Sequence, residues 1–203
     1  MKRLLLIVLP LLMIVGCSNP EPINENSLVD RNGVKYQQDS QKPYSGEVFK
    51  LHKNGEKEVE GSYKDGKKGG LWTYWYENGQ KEREVNYKDG KSDGLTTGWF
   101  ENGKKKEEVT LKDGKIDGKW NVWYENGQKD YEGTYKNGKM DGVYTEWYKN
   151  GQKNSEGTYK KRKKDGLWTT WYKNGQKKNE GTYKDGRKIS VKEWNKDGSV
   201  NYK

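Results

Sequence analysis

The chain is poor in the residues that most enzymes and most compact domains rely on. It has one cysteine, one histidine, four prolines and two phenylalanines among 203 residues. With Cys17 alone, no intrachain disulfide forms. A single histidine and a single cysteine exclude a Cys/His zinc set, and no Ser–His–Asp combination is suggested anywhere. Hydrophobic residues make up only 29% of the chain, too few for a thick globular core. Disorder is equally disfavoured, because 13% of residues are aromatic and they are regularly spaced. An elongated repeat array reconciles the two facts, since each unit buries its rings against its neighbours instead of in a central core.

The one apolar run of length lies at the start. Lys2 and Arg3 precede Leu4 to Val15. A dozen apolar residues suit an export signal, whereas a spanning helix needs about 20. The end of the run, Ile14-Val15-Gly16-Cys17, resembles the bacterial lipobox. That resemblance implies cleavage of residues 1–16, acylation of Cys17 and anchoring in the cell envelope, two or more acyl chains being enough for stable attachment. Ser18 and Asn19 follow, and the lack of Asp after the cysteine fits the outer membrane if the cell has two membranes. The net charge of +10 becomes +8 once Lys2 and Arg3 are removed. That balance favours anionic partners, but an exported, anchored chain is not expected to meet nucleic acid.

What fills the rest is one motif. "WYENGQK" at 75–81 returns as "WFENGKK" at 99–105, "WYENGQK" at 123–129, "WYKNGQK" at 147–153 and "WYKNGQK" at 171–177. Gly46, Gly70, Gly94, Gly118, Gly142 and Gly166 open six units of 24 residues, spanning 46–189. Residues 17–45 read as a polar tether and a degenerate first hairpin, and 190–203 as a partial closing unit. Within a unit, "GLWTYWY" has strand composition, Asn78-Gly79 supplies a two-residue type I′ turn, and Lys81 to Tyr87 returns. The fold class is all-β, an elongated antiparallel meander of stacked hairpins. Its twelve strands would extend roughly 55 Å at about 4.8 Å each.

With that turn at the tip, Tyr76 faces Lys81, Trp75 faces Glu82, Thr73 faces Glu84 and Trp72 faces Val85. Later units then place Trp120 opposite Gly133, Tyr144 opposite Gly157 and Trp168 opposite Gly181, rings covering bare backbone. The lysine stem of each ring–lysine pair (Tyr124–Lys129, Tyr148–Lys153, Tyr172–Lys177) lies on its tyrosine. Tyr87, Tyr135, Tyr159 and Tyr183 share this aromatic, core-like face. The opposite face holds Trp75, Trp99, Trp123, Trp147 and Trp171, which read either as rings stacked on one another or covering a second layer, or as a binding row. A bulge between Trp72 and Trp75 would bring both to one side. Lysines also recur in rows, and Lys64, Lys88, Lys112, Lys136, Lys160 and Lys184 line one edge as candidate contacts to an anionic surface. The "DGKSDG" segments lack the ligand series of a calcium loop, and turn chemistry accounts for their Asp and Gly. His52 stands where other units carry Tyr or Phe and reads as a substituted aromatic.

The consensus "YKDGKxDGxWxxWYxNGQKxxEGxY" resembles the MORN-variant repeat of bacterial proteins, over Gly46 to about Ile189. The resemblance implies a β-hairpin unit with no catalytic residues and no cofactor. It implies membrane attachment, phospholipid contact or protein scaffolding, and such proteins are often catalogued as YwqK-type antitoxins. Lys161-Arg162 depart from the pattern by replacing its Asp/Asn-Gly turn. The chain is thus expected to be a non-catalytic envelope lipoprotein displaying a binding array for a protein or envelope component. The alternatives are an antitoxin or immunity protein that binds a toxin, and a protein that binds surface glycan or anionic lipid.

Overall fold

The computed structural model describes residues 20–202. The lipobox and Cys17 therefore lie outside the described residues. β1 (Ile23–Asn24), a 3-10 turn (Glu25–Ser27), β2 (Leu28–Arg31) and β3 (Val34–Gln37) come first. The array follows as β4 (Gly46–Leu51), β5 (Lys57–Lys64), β6 (Lys67–Trp75), β7 (Lys81–Lys88), β8 (Lys91–Trp99) and β9 (Lys105–Lys112). It continues through β10 (Lys115–Trp123), β11 (Lys129–Lys136), β12 (Lys139–Trp147), β13 (Lys153–Lys160), β14 (Lys163–Trp171), β15 (Lys177–Lys184) and β16 (Arg187–Glu193). From β4 to β16 every strand pairs with the next in sequence order, and β1 adds in parallel to β4, giving a 14-stranded sheet. The meander is as expected; β16 and β1 carry it beyond twelve strands.

The tether region is more ordered than its composition suggests. Ile23 and Asn24 pair with Val48 and Phe49, covering the middle of the sheet edge that β4 would otherwise expose. β2 and β3 form the expected small hairpin, turned at Asn32-Gly33 with both φ positive. The Lys35 N–H donates to the Gly66 carbonyl at 2.9 Å, and the Tyr63 hydroxyl donates to the Glu25 carboxylate at 2.6 Å. Leu28, Val48, Val59, Tyr63 and Trp72 make the principal buried cluster. Residues 23–44 thus cover one face of the first hairpins.

Two turn types alternate along the array, and the expected I′ turn sits at the end opposite to the one predicted. At "KDGK", Asp65 and Gly66 have φ of 48° and 75°, as both central residues of a type I′ turn require. At "YENGQ", only Gly79 is left-handed, at 79°. The Gly79 N–H donates to the Tyr76 carbonyl and the Tyr76 N–H to the Gln80 carbonyl, which makes a three-residue loop, a type I turn followed by a glycine bulge. The three-residue loop corrects the register near the tip by placing Trp75 opposite Lys81, and a second bulge, with Glu82 as the extra residue, returns Tyr74 to Arg83. Farther from the tip, Thr73–Glu84 and Trp72–Val85 pair as predicted.

Gly70, Gly94, Gly118, Gly142 and Gly166, which mark the repeat in the sequence, all have positive φ. They lie where each strand shifts register by two against the preceding one, as between Ile116 and Trp120 opposite Leu111 and Val109. A shift of two preserves which side chains share a face.

The predicted ring–glycine pairs, Trp120–Gly133, Tyr144–Gly157 and Trp168–Gly181, are present. Two indoles, Trp72 and Trp168, nevertheless lean the other way, onto the glycine of the preceding strand. A Cβ on Gly61 would stand 2.3 Å from Trp72, and one on Gly157 2.3 Å from Trp168. This lean lets Trp72 Nε1 donate to the Ser62 carbonyl and Trp168 Nε1 to that of Thr158. Trp120 meets Val109 at that place, and its Nε1 is left buried without a partner.

Candidate functional site

Three features carry side chains in ordered rows: the tryptophan row, the lysine edge and an aromatic strip. The five predicted tryptophans share the face of Thr73, opposite to Trp72, so the shifts in register do not bring Trp72 and Trp75 together. All five are half-buried. No ring pair among them is stacked within the described residues. Instead Lys57, Lys81, Lys105, Lys129 and Lys153, each from the preceding hairpin, hold their ammonium 5.4–6.0 Å from the ring centroids of Trp75, Trp99, Trp123, Trp147 and Trp171. Lys177 does the same over Trp194, a sixth member. Every one of these lysines also ion-pairs with the glutamate three residues on, from Lys57–Glu60 to Lys177–Glu180. Exposed pairs of this kind contribute about 0–1 kcal/mol each, so the ladder mainly orients lysines over rings.

The predicted ring–lysine pairing at the tip is corrected as well. Lys178, not Lys177, approaches the Tyr172 ring, because the three-residue loop moves each motif lysine onto the tryptophan face. The tip tyrosines instead link neighbouring hairpins. Tyr76, Tyr124 and Tyr148 donate their hydroxyls to the carbonyls of Trp99, Trp147 and Trp171 at 2.8 Å. His52 Nε2 stands 2.8 Å from the Trp75 carbonyl, taking the tyrosine's place as the sequence suggested. Asn54, Asn78, Asn126, Asn150 and Asn174 each donate to a carbonyl of the following tip. Burial and the neighbouring Asp130 push the Tyr124 hydroxyl up to about 12.

Lys64, Lys88, Lys112, Lys136, Lys160 and Lys184 are all exposed at the other end of the strands. Each faces a second cation across its I′ turn: Lys67, Lys91, Lys115, Lys139, Lys163 and Arg187. Like charges placed directly opposite are unfavourable in a sheet, so this edge is unneutralised by its own pairing. Lys184 reaches Asp165 at 3.9 Å.

The aromatic strip was visible in sequence only as a core face. Its covering segment ends after the first hairpins, and beyond them Trp120, Tyr131, Tyr144, Tyr159 and Trp168 continue with centroids 4.9–5.6 Å apart. Burial, then a hydrogen bond with Tyr135, raises the Tyr131 pKa; burial and Glu146 raise that of Tyr144. Burial lowers the pKa of Lys164, whose ammonium lies over Trp168. Sequence reasoning missed that the first hairpins of this face are covered, because neither the ordering of residues 23–44 nor their reach follows from periodicity.

Among the described residues, no group of three or more His, Cys, Asp or Glu is placed to hold a metal ion. No helix among them is long and apolar enough to cross a membrane. Comparison of the chain with curated proteins gives no match. The family model of the MORN repeat variant matches five consecutive stretches, 68–89, 92–113, 116–137, 140–161 and 164–185. Each stretch runs from the strand that follows one I′ turn to the next such turn, and together they cover more than half of the chain. The hairpin array, its alternating turns and this match agree: the chain belongs to the MORN repeat variant family.

Proposed function

We propose that the chain is a non-catalytic, lipid-anchored protein of the cell envelope that displays its hairpin array as a binding surface for a protein partner. The observation that carries this reading is the aromatic strip from Trp120 to Trp168. It lies on a sheet one layer thick with no described segment over it, and its Trp120, Tyr131, Tyr144 and Tyr159 rings stay half-buried, while Trp168 beneath Lys164 is 3% exposed. Rings in that state combine apolar area with polar tips, the composition found in the buried centres of protein interfaces. Anchoring is supported by Lys2-Arg3, the apolar run and Cys17. Glycan stacking on the tryptophan row has less support, because each ring already carries a lysine ammonium over one face.

The test uses a photo-crosslinking residue placed in cells at Val122 on the strip face, and at Val143 on the other face as comparison. A discrete adduct from Val122 that is weak or missing from Val143 is expected. No adduct from the strip face removes the reading. In parallel, Cys17→Ser is expected to move the protein from the membrane fraction to the soluble one.

A second reading has its own observation, the row of facing cations at the I′ turns. It makes that edge a contact to anionic lipid headgroups, beside the anchor rather than in place of it.

A further inference from the structure

The clamp that holds the N-terminal segment occurs twice in the sheet. Tyr63, Lys68, Trp72 and Tyr87 return four repeats later as Tyr159, Lys164, Trp168 and Tyr183. Their geometry returns too. The tyrosine–tryptophan centroids are 5.1 Å apart at 82° in the first and 4.9 Å at 76° in the second. Lys68 Nζ lies 3.8 Å from the Trp72 centroid and 5.5 Å from that of Tyr87. Lys164 Nζ lies 4.1 Å from Trp168 and 5.3 Å from Tyr183. Both indoles rest on a glycine and donate to the carbonyl ten residues back, at 3.1 and 3.0 Å. The intervening repeats break the set, with Ser92 and Thr96, Ile116, and Met140 with Tyr144 at the lysine and tryptophan positions.

The first clamp is filled by the chain itself. Glu25 accepts the Tyr63 hydroxyl at 2.6 Å, and Leu28, three residues on, packs into the cluster around Trp72. Glu25 also acts electrostatically on Lys68. At the second clamp the Tyr159 hydroxyl has no hydrogen-bond partner among the described residues, and no described segment lies over Lys164. The basic run is longer at the second clamp, although Glu146 stands there where the first clamp has Lys50 and its charge acts on Tyr159. Lys160, Lys161, Arg162, Lys163 and Lys164 are consecutive, where the first clamp has Asp65-Gly66 in the turn. Of the acids nearby, Glu146 is engaged by Tyr144 and Ser155, and Asp165 faces Lys184. The walls also differ, with Tyr144, Ser155 and Thr170 in place of Val48, Val59 and Tyr74, so rings supply most of the apolar contact.

Resting on the binding-array reading, we propose that the Tyr159–Lys164–Trp168 clamp takes an extended segment of a partner polypeptide. The segment presents a carboxylate to Tyr159 and Lys164, and three residues on an aliphatic side chain to the half-buried Tyr144 and Tyr159 rings that border Trp168, itself only 3% exposed. The chain's own residues 20–31 have this chemistry and serve as the probe; residues 34–44 are left out because Val34 and Lys35 lie against Gly66, whose place Arg162 takes.

The full chain is labelled with fluorotryptophan, the Trp72 and Trp168 resonances being assigned with Trp72→Phe and Trp168→Phe. A synthetic peptide of residues 20–31 is then titrated in. A saturable shift of Trp168, with Trp72 unmoved, is expected. The Glu25→Gln peptide should bind at least tenfold more weakly, and Tyr159→Phe protein at least fivefold more weakly with an unchanged melting midpoint. No movement of Trp168 at millimolar peptide overturns the proposal, as does equal affinity for the Glu25→Gln peptide. A dimer that forms without peptide and perturbs Trp168 assigns the clamp to a second copy of this chain and overturns the external partner. None of these failures would remove a crosslinked adduct at Val122, so the broader reading is judged separately.

Discussion

One turn departs from the pattern of the other five. Lys161 and Arg162 hold φ of 50° and 67°, the same left-handed pair that Asp/Asn-Gly adopts at the other five I′ turns. A non-glycine residue in that region costs about 1–2 kcal/mol, because Cβ crowds the following carbonyl. The fold imposes the conformation through its neighbours: the Arg162 N–H donates to the Met140 carbonyl at 2.9 Å, as Gly138 does to Ile116. Arg162→Gly is therefore expected to raise the thermal midpoint by about 2–4 °C, given a stabilisation of about 1 kcal/mol in a chain of this size. An unchanged or lower midpoint in calorimetry would show that Arg162 makes compensating contacts. That two cations persist at a strained turn beside Lys160, Lys163 and Lys164 accords with an acidic partner there.

At the scale of the strand, the Trp72 face is a row of fitted sizes. Across successive strands it reads Trp72, Val85, Thr96, Val109, Trp120, Gly133, Tyr144 and Gly157, with Trp168 over the last. Large rings sit beside glycine, and threonine sits between valines. Gly157→Ala would put a methyl 2.3 Å from the Trp168 indole. Overpacking of that kind costs about 1–3 kcal/mol, to be read as a lower denaturation midpoint with the Trp168 emission altered. A stability equal to the parent's would mean that the indole can leave its glycine freely. Much of this was legible beforehand, since a period of two and a ring opposite glycine follow from residue type alone. The tips were not. Asn-Gly is compatible both with a two-residue I′ turn and with a three-residue type I turn plus bulge, and the choice moves Lys81 from Tyr76 to Trp75. The lean of each indole was illegible for a related reason, because the register shift at Gly70 and its equivalents decides which glycine lies beneath it.

For the whole molecule, the cations at the I′ turns lie on one long edge, and each Lys near an anionic surface contributes about 1 kcal/mol. Cys17→Ser protein, which lacks the thiol of the proposed anchor, is expected to sediment with vesicles containing phosphatidylglycerol, to release as salt rises, and to ignore phosphatidylcholine alone. Reversing Lys136, Lys160 and Lys184 to Glu should abolish the binding. Retention by the triple variant would place the contact elsewhere and leave the edge as a solvating margin. The fold class followed from the sequence at this scale because from β4 to β16 each strand pairs with the next in sequence, so the repeat dictates the array.

Strictly sequential pairing also makes the sheet a ruler. Trp72 and Trp168 are separated by eight strand steps, or roughly 38 Å along the sheet at about 4.8 Å per step. Gain or loss of one 24-residue unit between them changes that distance by about 10 Å while leaving each clamp intact. The spacing between the filled clamp and the open one is thus set by repeat number, a quantity that a single duplication in the gene can adjust in fixed increments.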